Sequence, residues 1–403
     1  MKKILLLGGL RYLVPVIQSA HELGHYVITC DNVPCNTAHR YADEYHNVSI
    51  IDKDAILELA IKLQIDGIMS FAVDPGVITA AYVAEKLSLP FAGSYESIKI
   101  LQNKDLFRAF LTQHGFNTPK SGGYVSLKEA LKEIDKFSFP VIVKPVDSAG
   151  SKGVTRIDDI NELEGAVAKA IQFSFSERFI IEEFIEQRGY SSDSDCFSVA
   201  GKLVFCTFSD QMFEPKAMNP YTPAGFTWPN SMLKSEQQFF KSELQRLLDL
   251  LQLQSSIYNI ETRVSVDGTP YIMEVSPRGG GNRISEILKL STGVDTIRAS
   301  VQLALGEAFD FPEEFNYDGV WSELILYSDK KGFFSHIEIE KEIRPYLVSE
   351  DIWVTQGDKV NPFTGANETL GTLIFHFSSR ETYLEIWPKI RGFVNINVKD
   401  YKE

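Results

Sequence analysis

The first part of the chain alternates between continuous apolar runs and stretches with helical spacing of apolar residues. The pattern predicts strands over 4–7, 26–30, 67–71 and 89–91, and helices over 10–23, over 54–63 and after Asp74-Pro75-Gly76. Fully apolar runs separated by amphipathic helices are typical of parallel β-α-β units. Residues 1–100 are therefore predicted to form a small doubly wound α/β domain.

The remaining chain mixes helices with strands that alternate between apolar and polar residues. We predict helices over 103–114, 235–253, 283–290 and 294–305, strands over 139–147, 178–185, 320–327, 352–355 and 372–377, and hairpins over 196–208 and 259–282. The segment 215–229 is rich in proline and aromatic residues and is predicted to be an ordered loop over a cleft. The fold class is α/β and α+β, with units at 1–100, 101–308 and 309–403, the last of them small and β-rich.

The hairpin is the stretch with the clearest chemistry. Asp267-Gly268 predicts a type I′ turn, in which both central residues have positive φ. That turn places Glu261 opposite Glu274 and Asn259 opposite Ser276. The two carboxylates would then lie on one face, with Cβ atoms roughly 5 Å apart.

Facing carboxylates repel each other, and a divalent cation would relieve the repulsion. Oxygen ligands without His or Cys suit Mg²⁺, with Mn²⁺ a chemical substitute, and Mg²⁺ commonly shares its shell with substrate phosphates. Arg278 and three glycines follow Glu274 directly. The alternative is a solvated hairpin followed by an ordinary Gly-rich loop.

A second candidate site begins at Lys144, a lysine within the apolar strand 139–147. The strand runs into a loop, Ser148-Ala149-Gly150-Ser151-Lys152-Gly153, whose backbone N–H groups could bind phosphate oxygens. The GxxxxGK[ST] spacing of a Walker loop is absent. A plain surface hairpin is the alternative for this loop, and a lone exposed lysine is the alternative for Lys104 at the start of the helix over 103–114.

Two further stretches carry weaker signals. The strand over 178–185 contains Glu182 and Glu183, and its edge could bind a purine base or could be an ordinary strand with one solvated face. Gly8-Gly9 with Asp31 resembles a dinucleotide fingerprint only weakly, because the remaining spaced glycines are absent. A structural turn, or a loop that contacts a non-nucleotide substrate, is the favoured alternative.

Charge and cysteine usage exclude several classes of protein. The chain has 403 residues and a net charge of −14, which argues against nucleic acid and anionic membranes as partners. Its four cysteines show no metal-binding or disulfide-framework spacing, so a cytoplasmic location is expected. No apolar run is long enough for a membrane span.

Taken together, these motifs resemble the ATP-grasp superfamily, in the branch that contains the carbamoyl phosphate synthase large subunit and carboxylate-amine ligases. The resemblance implies an ATP-grasp fold over 101–308, with a mobile lid at about 118–190, a pre-ATP-grasp domain before it and a β-rich domain after it. It implies ATP and Mg²⁺ as cofactors. The residues that it assigns to ATP are Lys104, Lys144, Ser148, Gly150, Ser151, Lys152, Gly153, Glu182, Glu183, Phe184 and Ile185.

The same resemblance implies roles for the hairpin and the residues after it. Glu261 and Glu274 match the acidic metal ligands, and Ser276 stands where the family usually has an asparagine ligand. Arg278 matches the arginine that steadies the transferring phosphoryl group, and Asn282 is a candidate for holding the substrate or its acylphosphate. The family's ribose-binding glutamate falls near Gly189, which leaves Asp193 as the nearest acid.

The implied activity is an ADP-forming ligase that joins a small-molecule carboxylate to an amine through an acylphosphate. A homodimer is the default oligomeric expectation. The alternatives are a non-catalytic ATP-binding regulator of the same fold and a dinucleotide-dependent oxidoreductase.

Overall fold

The protein contains twenty strands and eleven α-helices within the described part of the chain. The computed structural model describes residues 1–312 and 314–400. The strands are β1 (Lys3–Leu7), β2 (Tyr26–Cys30), β3 (Glu44–His46), β4 (Gly67–Ser70), β5 (Ser121–Tyr124), β6 (Val141–Pro145), β7 (Thr155–Ile157), β8 (Phe179–Glu183), β9 (Ser192–Val199), β10 (Lys202–Cys206), β11 (Asp210–Phe213), β12 (Pro223–Trp228), β13 (Ser256–Val264), β14 (Pro270–Ser276), β15 (Val320–Leu326), β16 (Gly332–Ile339), β17 (Leu347–Ile352), β18 (Lys359–Val360), β19 (Gly371–Phe377) and β20 (Val394–Lys399). The helices are α1 (Val14–Glu22), α2 (Lys53–Leu63), α3 (Asp74–Leu87), α4 (Tyr95–Gln102), α5 (Lys104–Gln113), α6 (Leu127–Leu131), α7 (Leu163–Phe173), α8 (Lys234–Leu250), α9 (Ile284–Thr292), α10 (Thr296–Ala304) and α11 (Arg380–Ile386).

The N-terminal sheet is parallel and has the order β3-β2-β1-β4, which confirms the predicted doubly wound α/β domain. Residues 4–7 of β1 are completely buried, as expected for a strand that is covered on both faces. The strand predicted over 89–91 does not form. Leu89 instead donates its N–H to Ala84 at the end of α3, at 2.8 Å, and Pro90 has no N–H for a ladder.

Two antiparallel sheets form the middle of the chain. The sheet β5-β8-β6-β7 packs against α6 and α7 around its own hydrophobic core. These strands and helices make up most of the predicted lid. The sheet β10-β9-β13-β14 contains the predicted carboxylate hairpin. The order of the first sheet makes β8 an interior strand, so the prediction that β8 offers a free edge to a base is wrong.

The hairpin has the predicted pairing, but its turn differs from the prediction. Glu261 faces Glu274 and Asn259 faces Ser276, whereas a bulge at Met273 shifts the register of the rest of the ladder. Among the loop residues only Gly268 has positive φ, at 87°, so the two-residue type I′ turn is wrong. Ser265 donates to Thr269 across a three-residue loop, and the bulge then restores the pairing of the two glutamates.

The C-terminal strands share a sheet with strands from the middle of the chain, in the order β11-β12-β15-β19-β17. The segment 215–229 is therefore only partly a loop, since Pro223–Trp228 is β12. The strand predicted over 352–355 is also displaced, because β17 ends at Ile352. A domain boundary at 308 would divide this sheet, and the division into units stays a proposal.

Among the described helices, none is both long and apolar enough to cross a membrane.

Candidate active site

One cavity of about 1410 Å³ brings most of the predicted site residues together. Its walls come from the N-terminal sheet, the lid sheet, the hairpin and the loops around β17 and β19. The predicted residues that line it are Lys104, Lys144, Ser148, Gly150, Ser151, Lys152, Glu182, Glu183, Phe184, Ile185, Asp193, Glu261, Glu274, Arg278 and Asn282. Gly153 and Ser276 do not line it.

The facing carboxylates of Glu261 and Glu274 are one-third exposed. Lys104 Nζ lies 3.5 Å from Glu274 Oε2, and Arg263 Nη2 lies 3.6 Å from Glu261 Oε1. Burial, together with the nearby Glu274, raises the pKa of Glu261. Two facing carboxylates that remain one-third exposed beside these cations fit a divalent ion whose shell is completed by phosphates. Within residues 1–312 and 314–400, no group of three or more His, Cys, Asp or Glu side chains could hold a metal by itself.

Two more carboxylates lie on β9 beside the hairpin. Asp193 pairs with Glu261 across the ladder and accepts a hydrogen bond from Asn259 Nδ2 at 2.6 Å. Burial and Glu261 raise the pKa of Asp193 to about 7, and burial raises that of Asp195 to about 6. Asp193 therefore belongs to the carboxylate group around the hairpin, and its contact with ribose stays a prediction.

Arg278 is held by an aspartate from the N-terminal domain. Its Nε and Nη2 donate to the two carboxylate oxygens of Asp74 at 2.9 and 2.8 Å, and its Nη1 donates to the Gly279 carbonyl at 3.0 Å. The guanidinium holds the pKa of Asp74 below its usual value, although burial opposes this. A bidentate pair of this kind fixes the plane of the guanidinium as well as its position.

Ser276 supports this arrangement and does not face the cavity. Its hydroxyl donates to Asp74 at 2.8 Å and accepts from Gln102 Nε2 at 2.8 Å, and the residue is buried. The assignment of Ser276 as a metal ligand is therefore not supported. The serine side chain is too short and is already engaged with Asp74.

The three glycines after Arg278 let the backbone pass close to neighbouring side chains. A Cβ on Gly279 would lie 2.2 Å from the Phe71 ring, and one on Gly280 would lie 2.8 Å from Asn259 Nδ2. Asn282 follows in a left-handed conformation, with φ 51°, and accepts a hydrogen bond from Tyr12 at 3.2 Å. The run thus turns the chain so that Asn282 lines the cavity.

Lys144 is paired inside the lid sheet. Its Nζ lies 2.7 Å from Glu182 Oε2, and Arg108 Nε donates to Glu182 Oε1 at 2.8 Å. The two cations outweigh burial and lower the pKa of Glu182 to about 2, while burial lowers the pKa of Lys144. Glu182 is 2% exposed, so its side chain positions Lys144 and has little surface to offer a ligand.

The segment after β8 lines the cavity, and some of its backbone polar groups are already hydrogen-bonded within the protein. Phe184 N donates to Pro140 at 3.0 Å, and the Ile185 carbonyl accepts from Arg263 at 3.3 Å. The Arg156 guanidinium lies 4.5 Å from the centre of the Phe184 ring. Phe184 and Ile185 therefore offer apolar surface beside a few backbone polar groups, which suits a purine ring.

The Gly-rich loop over 148–153 lies against two other loops. Asn219 Nδ2 donates to the Ser151 carbonyl at 3.1 Å and to the Thr364 carbonyl at 3.0 Å. Ser151 Oγ donates to the Tyr221 carbonyl at 2.8 Å, and Lys104 Nζ donates to the Ser148 carbonyl at 3.0 Å. The loop thus closes one side of the cavity above the carboxylate pair.

Sequence reasoning missed Asp74, Arg108, Tyr12 and Trp353 as parts of this site. Arg108 could have been found, because it follows Lys104 by four residues and so lies on the same face of α5. Asp74 was identified only as a helix start. Tyr12 and Trp353 carry no local signal, since their meeting, with ring centres 5.5 Å apart, depends on the fold.

Comparison with known proteins matches the middle of the chain to a known domain family. Residues 137–286 match the family model of the ATP-grasp domain. The carbamoyl phosphate synthase large chain of Thermoanaerobacter sp. strain X514 is 26% identical over 254 residues, covering 60% of this chain and 22% of that protein. The C-terminal section of the large chain from Aquifex aeolicus is 23% identical, covering 75% of this chain and 56% of that one. The chain thus spans about a fifth of the full-length relatives it matches.

Solved structures extend the likeness to the whole chain. An L-amino acid ligase from Bacillus licheniformis has a TM-score of 0.83 with 22% identity, covering 99% of both chains. N5-carboxyaminoimidazole ribonucleotide synthetase from Thermotoga maritima has a TM-score of 0.77 with 16% identity, covering 99% of this chain and 100% of that one. This chain contains an ATP-grasp domain, and its full length has the fold of these ligases.

Proposed function

We propose that this protein is a Mg·ATP-dependent ligase that activates a carboxylate as an acylphosphate and joins it to an amine, releasing ADP and phosphate. The observation that carries the proposal is the single cavity in which Glu261 and Glu274 face Lys104, Lys144 and Arg278. This set combines metal-binding oxygens with cations for phosphates. A biotin carboxylase domain of the same fold, from Hydrogenobacter thermophilus, has a TM-score of 0.76 and was solved with MgADP and bicarbonate.

The chemistry needs positioning and charge stabilisation more than a protein nucleophile. A substrate carboxylate oxygen attacks the γ-phosphorus, and the bond to the β,γ-bridging oxygen breaks to release ADP. The amine nitrogen then attacks the acyl carbon, phosphate leaves with the C–O electron pair, and the amine proton passes to phosphate or solvent. Mg²⁺, held by Glu261 and Glu274, would neutralise charge on the transferring phosphates.

The chain's own groups each have a place in this scheme. Lys144, oriented by Glu182, and Lys104, between Glu274 and the loop over 148–153, would contact the ATP phosphates. Arg278, fixed by Asp74, would stabilise the negative charge that spreads over the transferring group. Asn282 would hold the substrate carboxylate or its acylphosphate. The backbone of residues 184–185 would meet the adenine.

The dinucleotide alternative is disfavoured by the N-terminal turn. A Cβ on Gly9 would lie 2.4 Å from the His39 ring and 2.7 Å from Asn36 Cβ. The space that a pyrophosphate would need beside this turn is thus filled by side chains of the protein itself.

The test is ADP release from Mg·ATP across a panel of carboxylic acids, each with and without a mixture of amines. We expect release that requires one class of acid, rises with an amine and stops when EDTA removes Mg²⁺. Tight ATP binding in calorimetry, combined with no acid-dependent release across the panel, would overturn the proposal in favour of a regulatory ATP-binding protein.

A further inference from the structure

The cavity extends beyond the carboxylate hairpin to the carboxyl edge of the N-terminal sheet. Segments that follow β1, β2 and β4 all line it: 10–12, 31–41 and 72–75 contribute residues. In the order β3-β2-β1-β4, the strand order reverses at β1, and open parallel sheets bind ligands at such a position. This end of the cavity is therefore available to the substrate that reacts with ATP.

Exposed apolar side chains are concentrated at this end. Residues 1–100 contain six strongly exposed large apolar side chains, and four of them, Leu10, Val33, Tyr41 and Ile51, line the cavity. Their exposed fractions lie between 37% and 49%. An apolar wall inside a polar cleft marks a ligand-binding surface.

Two aromatic rings form the floor of the same end. The Tyr12 and Trp353 rings meet edge to face, with centres 5.5 Å apart. Tyr12 Oη already donates to Asn282, and Trp353 Nε1 already donates to Asp351 at 3.0 Å. The polar atoms of both rings are hydrogen-bonded within the protein. The surface that the rings present to a ligand is therefore apolar.

Two of the charged groups at this end already have partners within the protein. Arg11 forms a two-point ion pair with Asp351, and Asp31 accepts hydrogen bonds from Asn36 Nδ2 at 2.8 Å and Val33 N at 3.1 Å. An uncharged ligand group leaves these contacts intact, whereas a charged one would compete with them and would also meet Arg40, an exposed cation that lines this end.

We propose that this end of the cavity binds the apolar side chain of a small carboxylic acid, aliphatic or aromatic, whose carboxylate lies toward Arg278 and the hairpin. The inference rests on the proposed ligase function and names the class of its substrate. Transfer of apolar surface from water predicts about fourfold tighter binding for each added methylene that the wall covers.

The experiment compares L-leucine and L-phenylalanine with glycine, L-aspartate and L-lysine as the acid in the ADP-release assay, and as titrants in calorimetry. Ile51→Thr removes apolar surface from the wall. Ile61→Thr is the matched control, because Ile61 has a similar exposure in the same part of the chain, 57% against 49%, but lies outside the cavity. We expect the two apolar acids to be preferred at least tenfold, and Ile51→Thr alone to weaken them about fourfold or more.

The outcomes separate this inference from the ligase proposal. Equal use of charged and apolar acids, or equal effects of the two variants, overturns the apolar-substrate inference while the ligase function stands. Absence of acid-dependent ADP release, with L-leucine binding that Ile51→Thr weakens, supports the inference and overturns the ligase function. Absence of both release and binding overturns both.

Discussion

Replacing Glu182 with glutamine tests the buried charge network that positions Lys144. Glu182 accepts from Arg108 at 2.8 Å and from Lys144 at 2.7 Å, and it is 2% exposed. Glu182→Gln removes the negative charge and leaves two largely buried cations without their carboxylate partner. Breaking a buried pair in this way is strongly destabilising.

The pKa shift of Glu182 gives the size of the expected loss in folding stability. The pKa falls from an ordinary value of 4.5 to about 2, a difference of about 2.5. At about 1.36 kcal/mol for each pKa unit, the interactions stabilise the folded protein by about 3 kcal/mol at pH 7. Because the folded pKa is depressed, this stabilisation is fully present above pH 4.5 and is lost as the pH falls toward 2. It should be roughly halved at pH 3.

The assay measures the free energy of unfolding by urea titration at pH 7 and pH 3, with hydrogen exchange of β6 and β8 as a local readout. Glu183→Gln is the control, because Glu183 lies on the opposite face and accepts from Ser138 N at 2.8 Å, a bond that an amide oxygen can keep. We expect the control to change stability by about 0.5 kcal/mol or less. A loss below about 1 kcal/mol in Glu182→Gln at pH 7, or a loss that is unchanged at pH 3, would refute the reasoning.

Three further predictions concern nucleotide turnover and binding. Glu274→Ala should lower Mg²⁺-dependent ATP turnover at least about 100-fold while circular dichroism shows an intact fold, and normal turnover at saturating substrate would contradict the metal assignment. Lys144→Ala removes a charge-assisted hydrogen bond and should weaken ATP binding about 10- to 100-fold in calorimetry, so an unchanged Kd counts against it. Asn219→Ala removes the hydrogen bonds to Ser151 and Thr364, each worth about 1 kcal/mol, and should raise the Kd for ATP at least severalfold and expose the loop over 148–153 to proteolysis. Equal affinity and equal proteolysis in that variant would show that the contacts do not hold the loop.

The sequence predicted the elements whose signal is local. The continuous apolar run over 4–7, the amphipathic helix α5 and the apolar strand around Lys144 each carry a clear local pattern, and the structure confirms them. The facing pair of Glu261 and Glu274 was also predicted correctly, although for a partly wrong reason. The three-residue loop moved the register by one position, and the bulge at Met273 moved it back.

The parts that the sequence did not predict depend on residues far apart in the chain. Asp74 and Arg278 are separated by 204 residues, and Arg11 and Asp351 by 340. No periodicity relates such positions, because their meeting is decided by how the sheets pack. Ser276 shows the same limit, since its position in the family resemblance implied a metal ligand and only the packing of α3 shows that it supports Asp74.

The charge balance of the cavity implies that the binding of its two ligands is coupled. Most of the cations that would meet phosphates already have carboxylate partners: Lys144 has Glu182, Arg278 has Asp74, and Lys104 lies 3.5 Å from Glu274. A highly charged nucleotide alone would therefore bring negative charge toward Glu261 and Glu274 with little uncompensated positive charge to receive it. A divalent cation alone would meet only two carboxylates. Since each ligand supplies the charge that the other lacks, their binding free energies must be coupled, and the coupling is the same whichever ligand binds first.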